Sequence, residues 1–103
     1  MNRRTFVRPE AQINIREAAV WYEQRETGLG HRFSAEIRQS LKSISKAPLR
    51  FPVIENGVRR LLLSRFPYAV YFLTESDRVI VIAVLHQHRA PQDWEGRSED
   101  SSN

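Results

Sequence analysis

At 103 residues, 41% of them hydrophobic, the chain has the size of one domain with a single core. It contains no cysteine, which excludes disulfides, thiolate metal sites and thiol nucleophiles. Its formal charge of +4 and pI near 10.1 favour nucleic acid or an acidic protein as partner.

No apolar run approaches the roughly 18 residues of a membrane span. The basic start Met1-Asn2-Arg3-Arg4 is followed by residues 5–10 without an apolar stretch, so it does not read as a secretory signal. The expected location is the cytoplasm, with no membrane partner. Of the 16 basic residues 14 are arginines, leaving only Lys42 and Lys46 as lysines. Arginine presents a planar fork of donors that matches phosphate and carboxylate.

The elements follow in chain order. Arg4 to Arg8 is short and β-prone, and Pro9 ends it. Pro9 also suits the first turn of a helix, where its missing N–H is not needed, and Glu10 suits the positive helix end. Ala11, Ile15, Ala18 and Tyr22 then recur at the spacing of a buried helical face, with Trp21 adjacent. Gly28 stops this helix. A second helix begins near Leu29, with Phe33, Ile37, Leu41 and Ile44 as its apolar stripe, and ends before Pro48. The short connection around Gly28 and Gly30 predicts an antiparallel helical hairpin whose stripes cover a sheet.

That sheet is expected in the second half. Residues 49–57 read as a loop, rich in turn formers (Pro52, Asn56, Gly57) yet carrying Phe51, Val53 and Ile54. Val58 to Leu63 reads as a strand, residues 65–68 as a turn, and Ala69 to Leu73 as the next strand. A tight reversal at residues 75–78 leads into Val79 to His88. Residues 79–85 are apolar on both faces, which predicts a central strand covered on both sides. Hairpin-length turns make these strands an antiparallel meander. From Glu95 onward the composition predicts a disordered tail.

The apolar segments stop at charged residues. Arg59, Arg60, Arg65, His88 and Arg89 fall at strand ends, where a meander can bring them to one surface of the sheet. Alternation puts Arg60 on the face of Val58 and Leu62, and Arg59 and Arg65 on the face of Leu61 and Leu63. A phosphate-binding surface is one reading: arginines clamp phosphate and a histidine exchanges protons near neutral pH. The other is that these arginines cap the sheet and pair with Glu10, Glu36, Glu55 or Asp93. His86 and His88 have the spacing of metal ligands on a strand but lack a third, so no metal site is expected. Among the aromatics, Tyr68 and Trp94 are the expected exposed ones, with most of the others in the core.

Taken together, the strand into Pro9-Glu10-Ala11, Trp21-Tyr22, residues 28–33 (Gly-Leu-Gly-His-Arg-Phe), Pro48, Phe51-Pro52, Val58-Arg59-Arg60, residues 65–72 (Arg-Phe-Pro-Tyr-Ala-Val-Tyr-Phe) and residues 85–94 (Leu-His-Gln-His-Arg-Ala-Pro-Gln-Asp-Trp) resemble the RelE/ParE family of toxins from type II toxin–antitoxin systems. The resemblance implies an α+β fold, β-α-α-β-β-β, with a helical hairpin packed on a small, mainly antiparallel sheet. It implies one toxin domain over residues 1–96, with residues 97–103 as tail. RelE-like members cleave mRNA in the ribosomal A site with basic residues of the sheet, whereas ParE-like members poison DNA gyrase. Both kinds are neutralised by an antitoxin whose acidic, partly disordered segment wraps the toxin, and the complex represses its own operon.

Carried over by position, Arg59, Arg60, Arg65 and Arg89 match the basic residues a nuclease would use, and His88 would stand for its acid/base group. The chain departs from the nuclease pattern in two ways: both lysines fall on the second helix, and the terminal aromatic is Trp94, which cannot exchange a proton as tyrosine can. The expectation is therefore a ParE-like toxin that binds gyrase, with Arg60, Arg65, Tyr68, Arg89 and Trp94 on the target-binding surface. It would use no cofactor or metal, bind a cognate acidic antitoxin, and reach operator DNA only through that antitoxin. The alternatives are a ribosome-dependent mRNA endoribonuclease and a degenerate member acting only as an antitoxin-binding corepressor.

Overall fold

The computed structural model describes residues 3–88. The elements are β1 (Arg4–Val7), α1 (Pro9–Arg25), α2 (Leu29–Lys46), a 3₁₀ turn (Pro48–Arg50), β2 (Val53–Glu55), β3 (Val58–Leu62), β4 (Tyr68–Thr74) and β5 (Arg78–His86). They form one sheet of order β1-β5-β4-β3-β2. β1 runs parallel to β5, and the other pairs are antiparallel. The α+β hairpin-on-sheet architecture expected from the sequence is present, with one strand more. Residues 53–55, expected in a loop, pair with β3 across a two-residue turn in which Asn56 (φ 50) and Gly57 (φ 78) are both left-handed. That is the turn whose twist matches paired strands. The expected tail lies outside the described residues.

The helical hairpin is closed by a borrowed cap. α2 starts from Gly28, whose φ of 90 suits glycine but which has no side chain to satisfy the first N–H groups of the helix. Glu23 of α1 supplies the acceptor: its carboxylate takes the N–H of Gly28 at 2.8 Å and of Gly30 at 3.1 Å. The Gly28 hydrogen bond, aided by that of Gly30, holds the Glu23 carboxyl below its ordinary value of 4.5. A lowered folded-state pKa means that this contribution is complete above pH 4.5 and is lost as pH falls through the folded value. Glu23→Gln should therefore lower the melting temperature at neutral pH and make its decline under acid shallower. Parallel acid limbs for the two proteins would rule out this cap as a source of pH dependence.

Gly30 is where the two helices touch. A Cβ there would lie 2.3 Å from the Ala19 carbonyl oxygen and 3.0 Å from the Glu23 Cβ. Gly30→Ala should thus destabilise by about 1–3 kcal/mol through overpacking, outweighing the roughly 1 kcal/mol that alanine gains in helix propensity. A melting temperature at or above wild type would contradict this close approach.

Helices cover one face of the sheet. Phe33, Ile37 and Ile44 of α2 and Ala11, Ala18 and Tyr22 of α1 pack on Leu61, Val70, Phe72, Val79, Val81 and Val84. The far face holds a second buried cluster of Val58, Ala69, Tyr71, Ile80, Ile82, Ala83 and Leu85. All of Val79 to Leu85 is buried, in keeping with a strand apolar on both sides.

A β-bulge divides β5. Phe72 pairs with Val81 and Tyr71 with Ala83, leaving Ile82 as the extra residue. Val79 and Val81 face the helices before the bulge; Ile82 and Ala83 both join the far cluster, and Val84 returns to the helix side. Without the bulge, His86 would point away from α1. Asn14 of α1 secures the new register, its Oδ1 accepting the Val84 N–H at 3.1 Å.

Candidate functional site

Past the bulge, β5 ends beside the start of β4, where Tyr68 pairs with His86. The turn before β4 is held from two sides. The Glu36 carboxylate of α2 accepts the backbone N–H groups of Ser64 at 2.6 Å and Arg65 at 3.3 Å. The Pro67 carbonyl accepts the Gln87 N–H at 2.8 Å. Tyr68 is thereby fixed at the mouth of an aromatic cluster, with ring centroids 5.2 Å from Phe33, 6.0 Å from Tyr22 and 5.4 Å from His86. Tyr22 in turn packs edge-on against Phe66 at 4.8 Å and Trp21 at 5.1 Å.

Between α1 and these strand ends lies an open cleft of about 610 Å³, walled by Asn14, Glu17, Trp21, Tyr22, Tyr68 and His86. Trp21 is 48% exposed, whereas Tyr68, expected with Trp94 to be the exposed aromatic, is half-buried. The Arg25 guanidinium lies 4.2 Å over the Trp21 ring, pre-orienting the indole by cation–π attraction. Burial, and then the neighbouring Tyr68, push the Tyr22 phenol above its ordinary value, so it stays a neutral hydroxyl. His86 accepts the His88 N–H on Nδ1 at 3.2 Å, which leaves Nε2 as the N–H of the neutral ring. The two imidazoles stack with centroids 5.0 Å apart. Aromatic rings, an amide and one carboxylate around an open cleft suit the docking of a partner side chain or loop.

Of the basic residues proposed from the sequence, Arg59 and Arg60 lie away from this cleft, while His88 stacks on His86 at its edge. Arg59 lies on the helix side of β3, opposite Phe72, and Arg60 on the far side, opposite Tyr71. These rungs are three to four residues along β4 from Tyr68, on the order of 10–13 Å away. The Arg59 guanidinium is occupied, donating to the carbonyls of Phe51 at 2.6 Å and Leu49 at 3.3 Å. It therefore ties the 49–51 segment to the sheet. Arg65 sits in the β3–β4 turn, exposed, and His88 is exposed just beyond β5. Among the described residues, no hydrogen bond links Arg59, Arg60 or Arg65 to either histidine. Arg89 and Trp94 lie outside the described residues.

This placement gives Arg59 and Arg60 different expected roles. Arg59→Ala should lower stability by about 1–3 kcal/mol, since it leaves the Phe51 carbonyl without its charged donor, while Arg60→Ala should stay within about 0.5 kcal/mol of wild type. Equal unfolding midpoints in urea for the two variants would contradict the structural role of Arg59.

Of the cleft residues Asn14, Glu17, Trp21, Tyr22, Tyr68 and His86, only Tyr68 was a site residue in the sequence reading. Trp21 carried a usable signal, because it stands one position off the stripe of Ala11, Ile15, Ala18 and Tyr22. Asn14 and Glu17 carried none, since polar residues on a helix flank are ordinary.

A helical hairpin laid across one face of a five-stranded mixed sheet, with an aromatic cleft at one sheet end, defines a small α+β protein. The chain belongs to the ParE toxin family, whose model, described as the ParE toxin of the type II toxin–antitoxin system parDE, matches residues 6–91. Its fold is similar to that of a solved chain from the chromosomal ParDE toxin–antitoxin system of P. aeruginosa. The TM-score is 0.71 at 16% identity, covering 82% of this chain and 95% of that one. No curated protein sequence matches the chain. No helix among the described residues is long and apolar enough to cross a membrane.

Proposed function

We propose that the chain inhibits bacterial growth by binding DNA gyrase in the cytoplasm, and that an acidic antitoxin neutralises it. The observation that carries this reading is the dispersal of the arginines. Cleavage of RNA calls for a phosphate clamp and a proton-transfer group within hydrogen-bond reach of one scissile site. Here Arg59 holds a loop, Arg60 lies on the opposite face, and the histidines stand at the sheet end. The cleft of Trp21, Tyr22, Tyr68 and His86 is the target-binding surface in this reading. A half-exposed aromatic anchor beside a concave wall is the kind of feature that dominates interface energies.

The antitoxin has a separate place. The outer ridge of α1 exposes Ile13 and Val20 about half of their surface, seven residues apart and so on one helical face. An amphipathic segment that folds on binding can lay its apolar side on them and offer its acidic side to the surrounding arginines.

The test uses purified chain with purified gyrase and a relaxed plasmid. Loss of supercoiling, with trapped double-strand breaks and reversal by equimolar antitoxin, is the expected result. Normal supercoiling at a large excess of toxin would refute the gyrase reading.

A further inference from the structure

The cleft and the α1 ridge leave one charged surface unexplained. Residues 37–54 contain no aspartate or glutamate, yet carry Arg38, Lys42, Lys46 and Arg50, each four positions after the last. Arg38, Lys42 and Lys46 are exposed along α2, so the spacing sets them on one face over about 12 Å of helix. The 3₁₀ turn carries Arg50 on beyond the helix end, its guanidinium over the Phe51 ring.

Two facts separate this ridge from an ordinary solvated helix face. First, the charges are uncompensated: the ion pairs among the described residues are Arg32–Glu26 and Arg78–Glu75. The Glu36 carboxylate, the one acid of α2, faces the Ser64 and Arg65 backbone instead. Like charges at four-residue spacing weaken a helix; the negative end of the helix dipole offsets this for Lys46, in the last turn, but not for Arg38 in the middle. Second, the ridge borders a groove of about 780 Å³, lined by Thr5, Lys42, Ser45, Lys46 and Arg50 among others. The Thr5 Oγ1 is buried there without a hydrogen-bond partner. Cations, hydroxyls and no carboxylate make this groove a place for anionic oxygen.

We propose that the α2 ridge of Arg38, Lys42, Lys46 and Arg50 binds the phosphate backbone of duplex DNA, so that the toxin itself contacts nucleic acid. Three cations along one helix face, continued by Arg50 of the 3₁₀ turn, match a rigid polyanion. An acidic peptide that folds on binding needs apolar anchors as well, and on the exposed face of α2 the row is flanked by Ala35 and Gln39. The exposed pair Ile13 and Val20 is on α1, and Leu49, beside Arg50, is the exposed large apolar residue at the end of the row. The proposal does not depend on gyrase being the target. It replaces the expectation that operator DNA is reached only through the antitoxin, since a toxin held at DNA by its partner would add backbone contacts of its own.

Binding of the full chain to a short labelled duplex of random sequence, followed by fluorescence anisotropy across a salt series, tests this. Four phosphate contacts predict a slope of log K against log salt of about −3.6. The Lys42→Ala/Lys46→Ala double variant should flatten it by about 1.8 and bind several-fold more weakly in low salt. Arg4→Ala/Arg16→Ala removes equal charge from β1 and α1, and circular dichroism checks that both variants are folded. A control pair that keeps the wild-type slope supports the ridge. Equal losses in the two double variants would reduce the effect to net charge and overturn the proposal. So would displacement of the duplex by poly-glutamate at equal charge concentration, which would make the ridge a peptide site.

Discussion

Phe33→Ala is expected to cost about 3–5 kcal/mol of folding free energy, the largest stability effect we anticipate for a single substitution. Phe33 is fully buried and lies at the junction of helices and sheet. Its ring meets Tyr22 at 5.4 Å, Phe66 at 5.2 Å and Tyr68 at 5.2 Å. Truncation empties the space under all three at once, and the partners cannot collapse into it together: Tyr22 is part of α1, Phe66 of a turn pinned by Glu36, and Tyr68 of β4. Against a typical total of about 5–15 kcal/mol, the variant should unfold at a much lower urea concentration with an unchanged slope. A loss below about 1 kcal/mol would contradict the central place of the aromatic cluster in the core.

The largest expected effect on function falls on Trp21. It is half-exposed, so Trp21→Ala should move the unfolding midpoint little, by about 1 kcal/mol or less. As the aromatic anchor of the cleft it should cost about 2 kcal/mol or more in target binding, a rise of roughly 30-fold in the concentration that half-inhibits gyrase. Tyr68→Phe, which keeps the ring and its packing, separates the hydroxyl from the aromatic surface. Retained inhibition in Trp21→Ala, at a stability near wild type, would remove the cleft from the target interface.

The architecture was legible in the sequence because its signals are local. Pro9 opens α1, Gly28 precedes α2, the Phe33–Ile37–Ile44 spacing marks the α2 stripe, and the unbroken apolar run of residues 79–85 suits a strand buried on both faces. β2 was missed: Asn56-Gly57 between Ile54 and Val58 is a strong hairpin signal, but with Pro52 it was read as one of the turn formers of a loop. The site was less legible because it depends on non-local events. The bulge at Ile82 turns His86 toward α1, and no residue type in the uniformly apolar run marks where the register shifts. Alternation did separate Arg59 from Arg60. It said nothing of the Phe51 carbonyl that occupies Arg59, because that contact joins a loop to a strand eight residues on. The four-residue spacing of Arg38, Lys42, Lys46 and Arg50 stands in the sequence, but it becomes a row only on the exposed face of α2 and the turn after it.

The most direct measurement is to induce the chain briefly in a bacterial host, map RNA 5′ ends across the transcriptome and follow the DNA-damage response in the same culture. Intact messages with the damage response switched on are the predicted result, since a toxin that traps gyrase breaks DNA and leaves mRNA alone. New 5′ ends phased with codons inside translated messages, with no damage response, would contradict the account and return Arg65 and His88 to a catalytic role.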